Sequence, residues 1–216
     1  MKVSQPYISS WVRGDPLFKY VDECDAHFLE KGSVRIGTLR GYSQLESSRA
    51  DREENTSKTF YAGTLDQSHP KFDVIMQNMG FKDGGFNVGL KLTNCGGNIF
   101  GPDLNCFCAS DSDKNRPTNL AKPQSCFRID DLVAWIREIR IACPKFLGAW
   151  VRPVTYGTRH SNPLQVPDAP DPFLKPVEFA HEQEIRMIWN LGDGILPAIT
   201  DTPSSPSLAR LMTRVF

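Results

Sequence analysis

The sequence of 216 residues lacks several patterns that define large enzyme classes. It has no G-x-G-x-x-G, no G-x-x-x-x-G-K-[ST] and no G-x-S-x-G, so a Rossmann dinucleotide loop, a P-loop and an α/β-hydrolase elbow are excluded. It also has no run of about 18 apolar residues, and its first residues do not resemble a signal peptide. We therefore expect a cytoplasmic protein with no membrane partner.

Neither sign of charge is in excess, because 25 Lys and Arg residues balance 25 Asp and Glu residues. This balance disfavours binding of nucleic acid by bulk electrostatics and leaves only a local basic groove. C-x-x-C pairs are also absent, and we interpret the six cysteines as reduced thiols. Because Cys-x-Cys is a poor chelate spacing, a zinc site is only the alternative. Its ligands would be Cys95, Cys106, Cys108 and Cys126.

Apolar residues make up 40 % of the chain, enough for one core, and we expect a single domain of residues 1–216. Near the start, LFKYV and SVRIGTL flank a short helix, capped by Asp22 and ended by Gly32. A longer helix is predicted over IDDLVAWIREIR, with Asp130 as its N-cap. Strands are predicted over TFYAGTL, FDVIMQNM, FNVGLKLTN, GNIFG and NCFCAS, with turns at Gly84, Gly85, Gly96 and Gly97.

Three segments have the composition of loops or ends. Residues 43–58 are polar and highly charged, which predicts a mobile loop that is either solvated decoration or a functional lid. Residues 161–176 are rich in proline and predict an extended loop. Residues 191–216 form a C-terminal tail whose amphipathic end either docks on the core or binds a partner.

Two glutamates near the end of the chain are the strongest candidates for chemistry. The alternation in HEQEIRMIWN predicts a strand with one charged face and one mainly apolar face. Carboxylates two residues apart on one face of a strand are about 7 Å apart, close enough to act on one substrate. The alternative is a half-exposed face with a solvated Glu–Arg ladder. The charged face would carry Glu182, Glu184 and Arg186, and the other Gln183, Ile185, Met187 and Trp189.

The order of elements along most of the chain resembles the ADP-ribosyltransferase superfamily, particularly its small bacterial members in toxin and phage-defence systems. Glu182-Gln183-Glu184 is similar to the E-x-E element of these enzymes. The family's first-strand Arg or His is replaced by Lys19, and its Ser-Thr-Ser by Cys108-Ala109-Ser110. The matching segments are Phe18-Lys19-Tyr20, Gly32-Ser33-Val34-Arg35, Cys106-Phe107-Cys108-Ala109-Ser110 and Glu182-Gln183-Glu184.

The resemblance implies an α+β fold with a split β-sheet core, few flanking helices and NAD in the cleft. It implies transfer of ADP-ribose from NAD to a macromolecular acceptor, either a protein side chain or a base of single-stranded nucleic acid, with an antitoxin protein as a possible partner. Glu184 would stabilise the positive ribose, and Glu182 would orient or deprotonate the acceptor. The implied NAD-binding residues are Lys19, Tyr20 and Arg35, Ser110 near the ribose, and Tyr42 as a platform for nicotinamide.

Two other functions are compatible with the same residues. One is a metal-dependent nuclease or hydrolase that places a divalent ion among carboxylates. The other is a non-catalytic protein-interaction module that uses the charged strand face and the polar loop. The metal ligands would be Asp51, Glu54, Glu182 and Glu184.

Overall fold

The computed structural model describes residues 15–45, 56–78, 91–114, 124–161, 170–191 and 199–216. The fold is mixed α/β and mostly antiparallel sheet, as the sequence predicted in outline. In these ranges no helix combines the length and the apolar character needed to cross a membrane.

The strands, in chain order, are β1 (Leu17–Asp22), β2 (Arg35–Thr38), β3 (Thr56–Asp66), β4 (Lys91–Phe100), β5 (Asn105–Ser110), β6 (Gln124–Ile129), β7 (Phe146–Pro153), β8 (Thr155–Tyr156), β9 (His160–Ser161), β10 (Leu174–Lys175), β11 (Glu184–Leu191), β12 (Ile199–Asp201) and β13 (Met212–Arg214). The helices are α1 (Ala26–Glu30), α2 (Leu39–Leu45), α3 (Phe72–Asn78), α4 (Leu132–Ala142) and α5 (Pro206–Ala209). Two 3-10 turns cover Glu23–Asp25 and Val177–Glu182.

Strand β5 is the branching point of the eight-stranded main sheet. Along one edge it pairs with β11, and Ser110 lies opposite Glu184. Its other edge is shared, because β1 pairs with it through Phe18 at Ser110, whereas β2 pairs with it through Gly37 at Cys106. Beyond Phe18, β1 continues along β6 instead of β5. The sheet therefore forks between β1 and β2.

The strand–helix–strand unit predicted near the start is confirmed as β1, α1 and β2. The two strands belong to one sheet, with β5 antiparallel to both. Gly32 ends the helix with φ +72°, and a Cβ there would lie 2.0 Å from the main-chain oxygen of Ser205. Asp22, the predicted cap, does occupy the N-cap position of the turn Glu23–Asp25, but its side chain makes no capping hydrogen bond there and accepts one from Gln124 instead.

Helix α4 covers one face of the main sheet. Its N-cap is Asp131, whose carboxylate accepts a hydrogen bond from the amide of Ala134 at 2.8 Å, so the predicted cap at Asp130 was wrong by one residue. The apolar stripe of α4 packs on alternate residues of β5, β7 and β11. The buried stripe consists of Leu132, Trp135, Ile136 and Ile139.

A smaller three-stranded sheet, ordered β4-β3-β9, has its own apolar cluster under α3. The strand predicted over FDVIMQNM was wrong, because this segment forms α3. Phe72, Ile75 and Met76 are three and four residues apart, so one helical face buries all three. A short apolar run does not distinguish a strand from a helix until its spacing is compared with both periods.

Two of the predicted turns also differ in the structure. Gly96 and Gly97 lie inside β4, where the sequence predicted a turn. A Cβ on Gly96 would lie 2.9 Å from the main-chain oxygen of Thr59 on β3, so glycine is needed for a close approach of two strands. Gly84 and Gly85 lie outside the described residues.

The predicted loops are shorter than expected where the structure describes them. Of residues 43–58, the first belong to α2 and the last to β3, and residues 46–55 lie outside the described ranges. Of the proline-rich segment, residues 162–169 lie outside them, whereas β10 near its end pairs in parallel with β8. Here the guanidinium of Arg159 donates two hydrogen bonds to the carbonyl of Leu174, at 2.7 and 3.1 Å.

The C-terminal tail docks on the core, which was one of the two alternatives that the sequence left open. Strand β12 pairs with β2 and β13 pairs with β6 in the main sheet. The last residues extend this pairing, since the amide of Cys126 donates to the carbonyl of Phe216 and its carbonyl accepts from Val215. Both ends of the described chain therefore lie in one sheet.

All six cysteines are free thiols. Cys95 lies on β4 of the small sheet, whereas Cys106, Cys108 and Cys126 lie on β5 and β6 of the main sheet. The four cysteines of the zinc alternative therefore do not form a common site. Within the described ranges, the ligating side chains that gather near one point are Asp22, Cys24 and Asp25.

Candidate functional site

Glu184 is the first residue of β11, which lies between β5 and β7 in the main sheet. The predicted strand extended back to Glu182, and this was wrong, because Glu182 ends a 3-10 turn and Gln183 has a left-handed backbone with φ +45°. The amide of Glu184 donates to the hydroxyl of Tyr156 at 2.8 Å. This bond fixes the start of the strand where the chain leaves the turn.

Strand β11 has the two faces that its alternation predicted. Ile185, Met187 and Trp189 pack in the core under α4. The opposite, charged face is buried as well, since Glu184 is only 6 % exposed and Arg186 only 1 %. The alternative of a half-exposed, solvated Glu–Arg ladder was therefore wrong.

Four charged side chains form what we call the carboxylate cluster: Lys175, Glu182, Glu184 and Arg186. The Nε of Arg186 donates to Oε1 of Glu184 at 2.7 Å. The ammonium of Lys175 donates to Oε2 of Glu184 at 3.1 Å and to Oε2 of Glu182 at 2.5 Å. Both oxygens of Glu184 are thus held by cations, and one ammonium joins the two carboxylates.

Lys175 reaches the cluster from β10, a separate strand of the small β8–β10 pair. Its side chain is 7 % exposed, and its ammonium also lies 4.7 Å from the ring centroid of Phe179. Sequence analysis missed this residue because the proline-rich segment shows no periodicity. A single cation in the apolar run Phe173-Leu174-Lys175 was the one sequence feature that could have indicated it.

The ion pairs of the cluster keep Glu184 and Lys175 charged. Burial pushes the pKa of Glu184 upward, but the charges of Arg186 and Lys175 outweigh it and hold this pKa well below its ordinary value. Burial likewise pushes the pKa of Lys175 downward, but Glu184 and Glu182 outweigh it and raise this pKa. Glu184 is therefore an ionised carboxylate in a desolvated position at neutral pH.

Strand β5 supplies two side chains next to the cluster. Ser110, predicted to position the ribose or the catalytic glutamate, donates its hydroxyl to the main-chain oxygen of Glu182 at 3.2 Å. It therefore holds the turn that carries the first glutamate. The thiol of Cys108 lies near Glu184 and, after Arg186 and Lys175, helps to keep its pKa low.

Tyr42, the predicted nicotinamide platform, lies on the same face as the cluster. It packs against the small apolar group of Leu39, Cys106, Phe173 and Ile188. Its ring occupies the space above Gly37, where a Cβ would lie 2.6 Å from Cε2 of the tyrosine. Burial, together with the nearby charge of Glu184, raises the pKa of Tyr42 well above its ordinary value. The structure thus places Tyr42 on the same sheet face as Glu184.

Lys19 and Tyr20 lie in β1, beside the fork. Lys19 points to the same sheet face as Leu17, under α4, and not to the face of the cluster. Its ammonium donates to the carbonyl of Cys108 at 2.8 Å and lies 4.7 Å from the ring centroid of Phe107. The hydroxyl of Tyr20 donates to the carbonyl of Ser112 at 3.0 Å. Their roles toward NAD stay predictions.

Arg35 is exposed at the β2–β12 edge of the main sheet. Its guanidinium pairs with Asp201 at 3.0 Å and with Asp25 at 3.8 Å. The hydrogen bond to Asp201 is the main cause of its raised pKa. Contact with a pyrophosphate would require Arg35 to leave both acids.

The two carboxylates of the cluster differ in their exposure to solvent. Glu184 is buried and fixed, whereas Glu182 is 28 % exposed and can meet solvent or a second reactant. A divalent ion between these carboxylates would have to displace the ammonium of Lys175, which disfavours the metal-dependent alternative. The other two proposed metal ligands, Asp51 and Glu54, lie outside the described residues.

Comparison with known proteins gives no match for this chain, whether with family models, curated proteins or solved structures. The geometry of the carboxylate cluster is therefore the basis for assigning a function.

Proposed function

We propose that the protein is an ADP-ribosyltransferase that moves ADP-ribose from NAD to a macromolecular acceptor, with Glu184 as the catalytic carboxylate. The observation that carries this proposal is an ionised, buried carboxylate at the start of β11, a strand with a neighbour on each side. A second, partly exposed carboxylate precedes it by two residues. This placement supports the resemblance of Glu182-Gln183-Glu184 to the E-x-E element.

The chemistry explains why a fixed anion is needed. When the bond between nicotinamide and ribose breaks, nicotinamide leaves as a neutral base and positive charge develops on the ribose. A carboxylate that is already oriented and desolvated stabilises this charge without reorganising. Glu184 meets both conditions, because Arg186 and Lys175 hold its oxygens and burial removes most of its water.

Glu182 has a different role in the proposal. Its carboxylate is linked to Glu184 through Lys175 but retains access to solvent. An acceptor nucleophile on the open side would therefore meet Glu182 first. Glu182 then orients the acceptor or takes its proton.

The surroundings of the cluster support the same reaction. The main sheet forks between β1 and β2, which is compatible with a split core that holds NAD in a cleft. Tyr42 places an aromatic ring on the cluster face, where it can stack on nicotinamide. A toxin or phage-defence effector with an antitoxin partner is the biological setting that the family resemblance implies.

The test uses NAD labelled in its adenylate part, incubated with cell extract and protein. The variants are Glu184→Gln and, as a matched control, Glu23→Gln, an exposed glutamate that also pairs with an arginine. Loss of a preorganised charge contact at a reacting centre costs about 10²–10³-fold in rate. We expect wild type and Glu23→Gln to label a macromolecule, and Glu184→Gln to label it at least about 10²-fold more slowly.

Treatment of the labelled product with protease or nuclease identifies the acceptor as protein or nucleic acid. Equal labelling by wild type and Glu184→Gln would contradict the assigned role of this residue. Absence of label, with RNA or DNA cut only after addition of a divalent metal, would favour the hydrolase. The interaction module loses its main support, because the charged strand face is buried and does not present a charged surface.

A further inference from the structure

We propose that Lys175 is a positioning residue whose ammonium, bonded to both Glu182 and Glu184, sets the placement of the two carboxylates for reaction with NAD. This inference rests on the proposed function and adds a residue to its site. The ammonium lies 2.5 Å from one carboxylate and 3.1 Å from the other. The longer contact, to Glu184, is the one that a ribose hydroxyl would replace.

The position of Lys175 is fixed from outside the glutamate-bearing segment. Strand β10 pairs with β8, and the amide of Gly157 donates to the carbonyl of Lys175 at 2.9 Å. Arg159, itself buried, holds the preceding residue, Leu174, through two hydrogen bonds. Because β10 is anchored in this way, the ammonium is a fixed point against which the turn of Glu182 is placed.

The charge of Lys175 is as important as its bonds. The cluster contains two anions and two cations, so loss of the ammonium leaves two neighbouring carboxylates with one arginine. Like charges in a buried position disfavour double ionisation, and the pKa of Glu184 would rise. The titratable and charged groups that face Glu184 are Arg186 on its own strand, Lys175 on β10, Cys106 and Cys108 on β5, Tyr42 on α2, Tyr156 on β8, and Glu182 in the preceding turn.

A purely structural role would not require a lysine at this position. Buried ion pairs are often replaced by apolar side chains with little loss of stability, because desolvation offsets most of their attraction. The ring of Phe179 already lies beside the ammonium and would accept an apolar neighbour. The property of Lys175 that an apolar side chain could not replace is therefore its contact with two carboxylates.

The kinetic test compares Lys175→Met with Lys175→Arg, which keeps the positive charge. The matched control is Arg214→Met, which removes a cation between two surface carboxylates, Glu23 and Glu30. Misplacement of a reacting group by about 1 Å costs about 10²-fold. We expect Lys175→Met to lower kcat for NAD cleavage by about 10–100-fold, with a KM for NAD near that of wild type.

The pH profile separates positioning from folding. The acid limb of kcat should move to higher pH in Lys175→Met and should return to its wild-type position in Lys175→Arg, while Arg214→Met behaves as wild type. An unchanged kcat and pH profile in Lys175→Met would overturn the inference and leave the proposed function intact. If Lys175→Met does not fold, Lys175→Gln replaces it, because the amide keeps a hydrogen-bond donor without the charge.

A second readout does not depend on activity. NMR of carboxyl-labelled glutamate follows the protonation of Glu184, whose resonance is assigned from its loss in Glu184→Gln. We expect this carboxylate to titrate at higher pH in Lys175→Met than in wild type. Identical titrations would overturn the role of Lys175. Wild-type protein that fails to cleave NAD would overturn the proposed function, and the NMR titration would still decide whether Lys175 governs the carboxylate.

Discussion

Two groups of charged side chains share one arrangement but differ in their surroundings. Each has one cation between two carboxylates, at hydrogen-bonding distance from both. The two groups are Lys175 between Glu182 and Glu184, and Arg214 between Glu23 and Glu30. Lys175 is 7 % exposed and Arg214 is 39 % exposed.

The difference in burial changes what the charges can do. Solvent screens the surface group, so each of its ion pairs contributes little to stability. The buried group loses its hydration, so each member depends strongly on the others, yet the group as a whole gains little over apolar packing. The comparison teaches that the two groups differ in how strongly their members depend on one another, and that the buried group is the one that the proposed chemistry would use.

Removal of one charged side chain from the buried group should have the largest effect on stability. Arg186→Met leaves the carboxylate of Glu184 with Lys175 alone and removes the donor to the carbonyl of Pro172. Removal of one partner of a buried pair costs about 3–5 kcal/mol, and we expect a drop of this size in the free energy of unfolding. Urea denaturation of the variant and of Arg214→Met measures it. A drop below about 1 kcal/mol would remove the contrast between the two groups.

The pH dependence of stability should reveal the low pKa of Glu184. In the unfolded chain the pKa of the carboxylate is the ordinary value for glutamate, about 4.3. In the folded protein the carboxylate stays ionised at this pH, because its pKa is lowered. Its contribution is therefore complete at neutral pH and is lost as the pH falls below about 4.

A proton that binds to a glutamate in the unfolded chain but not in the folded protein changes the free energy of unfolding by about 1.4 kcal/mol per pH unit in the acidic range. Denaturation across acidic pH should show a shallower slope for Glu184→Gln than for wild type. Glu23→Gln serves as the surface counterpart and should stay closer to wild type. Equal slopes in wild type and Glu184→Gln would mean that this carboxylate is not held ionised.

Replacement of the three most buried charges should restore stability but not activity. The variant combines Lys175→Met, Glu184→Leu and Arg186→Met. The remaining member, Glu182, is 28 % exposed and can be hydrated, so we expect the unfolding free energy to lie within about 1–2 kcal/mol of wild type. Cleavage of NAD should be lost. A triple variant less stable than Arg186→Met alone would show that the charges stabilise the fold after all.

The smallest effect is expected at the surface. Arg214→Met removes both contacts of the exposed group, at 2.5 and 2.8 Å. Solvent replaces them, so the melting temperature should stay within experimental error of wild type. Strand β13 keeps its main-chain pairing with β6 in any case. A clear drop in the melting temperature of Arg214→Met would mean that the surface group stabilises the fold as the buried group does.

Local patterns predicted much of the sheet. NCFCAS was predicted as a strand and forms β5 with the same limits, because it is a short run bounded by turn residues. The segment of α3 was predicted as a strand because it is a short apolar run. The spacing of Phe72, Ile75 and Met76 fits one face of a helix, and comparison with the helical period would have shown this. The strands of the C-terminal tail depend on main-chain pairing with distant segments, which no local pattern contains.

The site was predicted only in part, for a related reason. Glu182, Glu184 and Arg186 were visible as a charged face, but their burial was not. Lys175 comes from a proline-rich segment and reaches the glutamates through the β8–β10 pairing. Contacts of this kind arise from tertiary structure, so composition and spacing do not indicate them.

The most direct test of a chemical role for the buried group is release of nicotinamide from NAD by purified protein. Wild type and Glu23→Gln should release it at the same rate, and Glu184→Gln should be slower by about 10²-fold or more, because the fixed anion is lost. Circular dichroism should show that all three proteins are folded under the assay conditions, although Glu184→Gln should be the least stable of them. Release at one rate by all three, or by none, would contradict the account.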